Sequence, residues 1–255
     1  MPFKTITSQE NETIKKIGKL KNAKHRKSFG LFVAEGERSV RDSLSADTPL
    51  ETIVMTETFY EKNKEAYVNF PCIVTTEKIF SALCDTKTPQ GILSVMRLPE
   101  ERDTFSGSRY IYCDGIQDPG NAGTIIRSAD AFGFDGVIFS KNSVDAFSPK
   151  VIRSSMGSIF HISVYTDKET DFLIEKQKEG FFLSATALHK KSVALSSATR
   201  KERQIYIIGN EGNGVTDGVL SLSDELVHIP MKGKAESLNA GIAASILMYE
   251  VSRHE

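Results

Sequence analysis

Cysteine is scarce in this chain, and what there is fits no framework. Cys72, Cys84 and Cys113 are odd in number and stand at no metal-ligand spacing. That argues against a disulfide scaffold or a zinc site, favours a reducing compartment, and leaves the thiols as packing residues. No charge excess exists either: the net charge is −1, so any attraction for nucleic acid has to come from a local patch. No apolar run approaches a bilayer span and nothing near the start reads as a signal peptide, so the expectation is a cytoplasmic protein without a membrane partner. The common nucleotide signatures are missing too. The glycines of Gly209-Asn210-Glu211-Gly212-Asn213-Gly214 are spaced G-x-x-G-x-G, not G-x-G-x-x-G, and Val215-Thr216 stands where a phosphate loop needs Lys-Ser/Thr.

What is present is a chain of 255 residues with a break in its middle. Residues 99–107 are charged, open with Pro99 and close with Gly107, and read as a linker between a small α/β domain (1–98) and a second domain (108–255). The first holds a basic helix-like segment, a strand at 30–34, a helix at 38–44 and strands near 52–55 and 72–74. In the second, apolar strands (110–113, 136–139, 160–165, 181–185, 205–208, 226–229) alternate with helices (122–132, 149–156, 171–178, 239–253). Such alternation predicts a parallel sheet covered by helices, with ligands at the loops that leave the strand C-termini.

Three polar clusters fall on such loops. The first, Asp114 to Arg127, leaves a strand through Asp118-Pro119-Gly120-Asn121 and opens a helix that Asn121 is placed to cap; Arg127 follows within two turns. The second is the glycine loop around Glu211, the only charge in it. The third runs from Ile229-Pro230-Met231 through Ser237-Leu238-Asn239 into a helix rich in Ala and Gly, whose Ile242, Ile246 and Tyr249 form a core or interface stripe. Each has an ordinary reading, as a βα loop, a solvated turn or a helix cap. Capping accounts for one of Ser237 and Asn239, not for both and the whole loop.

In this order the clusters resemble the three motifs of the SpoU/TrmH family of RNA ribose 2′-O-methyltransferases, in the knotted SPOUT superfamily. The resemblance implies an α/β fold with a deep trefoil knot in the C-terminal domain, S-adenosylmethionine as methyl donor, no metal, and a homodimer whose active sites are completed at the interface. It also implies roles. Thr186, Gly209, Ile229, Met231 and Leu238 would hold the cofactor, and Asn121, Arg127, Glu211, Ser237 and Asn239 would form the catalytic group. The N-terminal part is similar to the family's ribosomal-protein-like RNA-binding domain, on Lys24 to Lys27, Phe32-Val33-Ala34-Glu35-Gly36 and Pro89-Gln90-Gly91-Ile92-Leu93. Lys150 to Ser158, with Arg153, is similar to a segment of the ribosomal-RNA-modifying relatives, so large-subunit ribosomal RNA is the implied substrate. A transfer RNA, or RNA binding without catalysis, are the alternatives.

The residues themselves add two arguments. No acidic residue stands between Glu12 and Glu35, while Lys15, Lys16, Lys19, Lys21, Lys24, Arg26 and Lys27 cluster there. Such a run suits RNA phosphates, and Lys24, Arg26 and Lys27 are its expected RNA contacts; Arg153 joins them only as what the resemblance of its segment implies. Arg127, by contrast, is a poor general base, because a guanidinium with a pKa above about 12 has no acceptor. Phosphate binding and stabilisation of alkoxide charge fit it better.

Overall fold

The computed structural model describes residues 3–46, 48–99 and 105–253. Of the expected linker, residues 100–104 lie outside the described residues. The chain forms two compact units, one of residues 1–100 with 147–160, the other of 101–146 with 161–255.

The first unit is a five-stranded mixed sheet in the order β1-β4-β3-β5-β2. Its elements are β1 (Lys4–Ile6), α1 (Glu12–Lys19), α2 (Ala23–Phe29), β2 (Leu31–Glu35), α3 (Glu37–Ser45), β3 (Leu50–Thr56), α4 (Glu57–Tyr67), β4 (Cys72–Thr75), α5 (Glu77–Leu83) and β5 (Ile92–Arg97). Alternation along β3 shows why both faces are covered. Val54 joins Ile14, Ile17, Ile79 and Phe80 from α1 and α5, whereas Ile53 and Met55 join Val40 of α3 and are packed by Phe59 and Tyr60 of α4. The expected basic helix is in fact two. Asn22 Oδ1 accepts from Lys24 N at 2.9 Å, starting α2 afresh, and Gly30 ends it with a left-handed φ of 63°.

Residues 147–160, which the sequence reading sets within the second domain, pack inside the first unit. They include a helix, α7 (Pro149–Ser154). Phe147 and Phe160 both lie against Phe32, with ring centroids 5.0 and 6.2 Å away. This engagement of Phe160 explains why the strand expected from 160 begins only at Ser163.

The second unit is a seven-stranded sheet, parallel throughout, ordered β10-β12-β9-β11-β6-β7-β8. Its elements are β6 (Arg109–Asp114), α6 (Pro119–Ala131), β7 (Gly136–Ser140), β8 (Ser163–Lys168), α8 (Thr170–Lys178), β9 (Phe182–Thr186), β10 (Val193–Ala194), β11 (Gln204–Gly209), α9 (Asp217–Leu222), β12 (Glu225–His228) and α10 (Ala240–Ser252). β11 lies between β6 and β9 and is buried along its whole length, as its unbroken apolar run requires. Because all strands point one way, the loops after β6, β9, β11 and β12 emerge at the same edge. All three polar clusters begin there.

Candidate active site

The glycine loop closes on its own strand. Asn210 and Gly214 exchange backbone hydrogen bonds of 2.9 and 3.0 Å, and Gly214 has φ of +71°. A side chain at Gly209 would put its Cβ 2.0 Å from the Gly214 carbonyl carbon and 2.1 Å from Val215 N. Gly209 is therefore fixed by the returning backbone, whatever ligand the loop holds. Two side chains then pin the loop to the first cluster. Asn210 Nδ2 donates to Gly115 O at 2.7 Å, and the buried Asp114 accepts from Thr216 N at 2.7 Å through Oδ2.

So held, Glu211 reaches α6. Its Oε1 accepts from Asn121 Nδ2 at 2.7 Å, and Oε2 lies 3.4 Å from Asn210 Nδ2. Asn121 is free for this bond because it does not cap the helix. The cap is Asp118, whose Oδ1 accepts from Asn121 N at 2.9 Å, with Pro119 at the first helical position. Asn121 sits one turn further in and is buried. Asn239 does the opposite: its Oδ1 accepts from Ile242 N at 3.1 Å and caps α10. α10 then lies directly on α6. A Cβ at Gly241 would meet Thr124 at 3.2 Å and Asn121 Oδ1 at 3.3 Å, and the Ser128 and Ser245 hydroxyls are 2.7 Å apart.

These loops enclose a cavity of about 470 Å³. Its lining includes all five expected cofactor residues, Thr186, Gly209, Ile229, Met231 and Leu238, together with Glu211 and Ser237. Asn239 and Arg127 are outside the lining. Arg127 is exposed on α6, six residues beyond Asn121 and so about a third of a turn away from its face. Sequence reading missed Leu188, His189, Val215 and Leu220, which also line the cavity. They come from loops and a short helix without periodic signal, and only the sheet order brings them in.

Among the described residues the lining contains Glu211 as its one acid and no lysine or arginine. A phosphate-bearing cofactor would find no cation here, whereas a sulfonium gains from the carboxylate, and the apolar side chains suit an adenine ring. The residues thus fit S-adenosylmethionine. Among the described residues no group of acids, histidines and cysteines could hold a metal. Cys113, beneath the site, has its thiol pushed up by burial, then by the charges of Glu211 and Asp114; burial pushes Cys84 up to about 12. Both thiols stay protonated and act as packing.

The expected RNA contacts divide. Lys24, Lys27 and Arg153 are exposed. Arg26 is not: it is 3 % exposed, and its Nη1 donates to Leu20 O at 2.6 Å and Lys21 O at 2.9 Å. Those carbonyls are left over where α1 ends, so Arg26 closes the turn between α1 and α2 and is no surface phosphate contact. Arg153 meets Asp85 at 3.3 Å.

A parallel α/β sheet with an apolar glycine-loop cavity at its strand ends, carrying one carboxylate, suits a cofactor-binding enzyme whose cofactor bears positive charge and no phosphate. Residues 108–249 match the SpoU rRNA Methylase family, and residues 11–94 match the MRM3-like substrate binding domain. The chain is 36 % identical to the 23S rRNA (guanosine(2553)-2′-O)-methyltransferase RlmP of Bacillus subtilis, over 98 % of this chain and 99 % of that one. Among solved structures it resembles an S-adenosylmethionine-bound rRNA methyltransferase of Sinorhizobium meliloti (TM-score 0.86, 30 % identity, 99 % and 98 % covered). It also resembles the SpoU methyltransferase AviRb of Streptomyces viridochromogenes with the same cofactor (TM-score 0.87, 26 % identity, 96 % and 98 % covered). The chain belongs to the SpoU rRNA methylase family, and it is an S-adenosylmethionine-dependent RNA ribose 2′-O-methyltransferase.

Proposed function

We infer that the substrate is large-subunit ribosomal RNA, methylated on the 2′-hydroxyl of a guanosine equivalent to the one in the name of the Bacillus subtilis relative. The observation that carries this reading is the Glu211–Asn121 bond at the edge of a cation-free cavity, in a chain that matches that relative along almost its whole length. Bound S-adenosylmethionine supplies an electrophilic methyl on a positively charged sulfur. The protein's task is alignment and charge.

Thr186, at the end of β9, and Ile229, Met231 and Leu238, from the loop between β12 and α10, hold the cofactor, and Glu211 fixes the carboxamide of Asn121, which orients the ribose. Ser237, exposed on the cavity lining, is placed for substrate or cofactor contact. Asn239 supports Ser237 and Leu238 by capping the helix behind them. The ribose hydroxyl proton would leave to water, phosphate or Glu211, and Arg127 would stabilise the charge that develops on the oxygen.

Arg127 lies outside its own protomer's cavity lining, which suits a homodimer in which it serves the partner's site. Leu238, Ile242, Ile246 and Tyr249 expose an apolar stripe at helical spacing on and before α10, with Tyr249 52 % and Ile242 49 % exposed. That stripe is the proposed dimer face. The chain's trefoil knot and its cytoplasmic location, beside the ribosomes it modifies, belong to the same reading; no helix among the described residues is long and apolar enough to cross a membrane. Mapping 2′-O-methyl marks on 23S rRNA from cells with and without the protein tests the substrate, and loss of no mark defeats it. Mixing Arg127→Ala and Glu211→Ala subunits tests the shared site. Activity should return in the mixture; two preparations that stay inactive together refute the dimer arrangement.

A further inference from the structure

Within the first unit lies a second cavity of about 330 Å³ that the methyl-transfer site does not use. Its buried lining is apolar, with Ile92 1 % and Cys84 5 % exposed, and its walls carry Thr86, Thr88 and Gln90. Arg38, Arg153 and Met156 also line it and are exposed. We propose that this cavity is a separate RNA subsite that takes one unstacked nucleotide, with its base against Met156 and its flanking phosphates on Arg38 and Arg153. The proposal rests on the RNA-binding reading above.

Met156 carries the first argument. It is 40 % exposed and holds a left-handed backbone with φ of 52°, an unfavourable state for a side chain without a local hydrogen-bonding group. The turn cannot relax, because Gly157 beside it has φ of +95° and an added Cβ there would lie 2.0 Å from Asp42 Oδ2. A strained, exposed thioether at a cavity mouth contributes little to the core. It does offer a polarisable surface to a ring.

Charge carries the second. Glu35, the one acid among the described residues of the lining, turns its carboxylate to the chain: Oε2 accepts from Thr86 N at 3.2 Å and from Thr86 Oγ1 at 3.0 Å. Among the described residues, Arg38 pairs with the half-buried Asp42 at a long 3.8 Å and Arg153 with the exposed Asp85 at 3.3 Å, while both guanidinium groups stay exposed. Such pairs are worth little and exchange readily for a phosphate, which takes the guanidinium fork with two charge-assisted bonds. The cavity also adjoins the lysine run: Lys21 Nζ donates to Ala82 O at 2.9 Å, two residues before Cys84. A backbone tracking α1 and α2 thus arrives at the opening. Only a loop or single strand can turn a base inward, because duplex bases stay stacked.

The test uses the full chain and a single-stranded RNA of mixed sequence carrying 5-iodouridine, with its duplex as control. Photo-crosslinks should fall on peptides containing Met156 or residues 86–90, for the single strand only. Met156→Gly should weaken single-strand binding about fivefold. Arg38→Ala with Arg153→Ala should reduce the slope of log affinity against log salt by about 1.4. An unchanged melting curve in every variant certifies folding, and unchanged S-adenosylmethionine affinity excludes an effect through the methyl-transfer site. Crosslinks confined to α1 and α2 with native binding by Met156→Gly would overturn the subsite while leaving RNA binding intact. Failure of the unaltered chain to bind RNA at all removes the RNA reading itself, and the subsite with it.

Discussion

α6 and α10 begin alike, each after a strand end and a polar loop with one asparagine near the start, yet the two asparagines do different things. Asp118 caps α6 and leaves the carboxamide of Asn121 to Glu211, 2.7 Å away. At α10 neither Glu236 nor Ser237 takes that role, and Asn239 caps the helix itself. A helix has a fixed demand for acceptors at its first turn, so whichever side chain meets that demand gives up other work. The position of the cap decides which asparagine is available for chemistry.

The sharpest way to break this contrast is to remove Asn121. Asn121→Ala should lower methyl incorporation into ribosomal RNA by about 10²- to 10³-fold, the usual loss for a preorganised polar group at a reacting centre. S-adenosylmethionine binding by calorimetry should stay native, since Asn121 is not in the cavity lining. Native turnover would mean that the Glu211–Asn121 bond only joins two loops.

Arg127 tests the same helix on another face. Arg127→Ala should cost about 10²-fold in turnover, and Arg127→Lys should recover little of it, because a point charge lacks the fork that grips phosphate and oxyanion together. Both variants should melt like the native chain, since the side chain is exposed. Near-native turnover by the lysine variant would rule out the bidentate placement.

A third variant acts on the contact between the two helices. Gly241→Ala places a methyl 3.2 Å from Thr124 and 3.3 Å from Asn121 Oδ1. The neighbours have to give by a few tenths of an ångström, at about 1 to 3 kcal/mol, against the roughly 1 kcal/mol that alanine gains over glycine inside a helix, so the melting temperature should fall by a few degrees. Turnover should fall too, but by less than in Asn121→Ala, because the Asn121 carboxamide remains. An unaltered melting curve would show that α10 rides loosely on α6.

Much of this was legible in the sequence, for identifiable reasons. Unbroken apolar runs such as residues 205–208 have no second face to expose, so the buried parallel sheet followed, and Asn121, Glu211 and Ser237 stood out as polar residues at strand ends. Arg26 was not legible, because in a run of cations sign is shared and burial is not. Its burial depends on two carbonyls left over at the end of α1, a property of the turn and not of the residue. The excursion of residues 147–160 escaped for a similar reason. α7 and Phe160 are apolar enough for either unit, and only their packing on Phe32 and against Asp42 decides. The cap of α6 was misplaced: the sequence suggests Asn121, whereas Asp118 caps the helix, because Pro119 after it already fits the first helical position.

The smallest expected effect is also the one that separates a cap from a catalyst. Asn239→Ala removes the acceptor that holds Ile242 N and should cost about 1 kcal/mol, a shift of a few degrees in melting temperature. Some activity should go with it, because Ser237 and Leu238 lie on the cavity lining immediately before the frayed turn. Asn239→Ser is the informative partner. Serine caps a helix about as well as asparagine but has no carboxamide to reach substrate or cofactor. If capping is the whole role, the serine variant regains both the melting temperature and the turnover that alanine lost. Recovered stability without recovered turnover would mean that the Asn239 amide also works at the site, and the two helices would then differ less than their caps suggest.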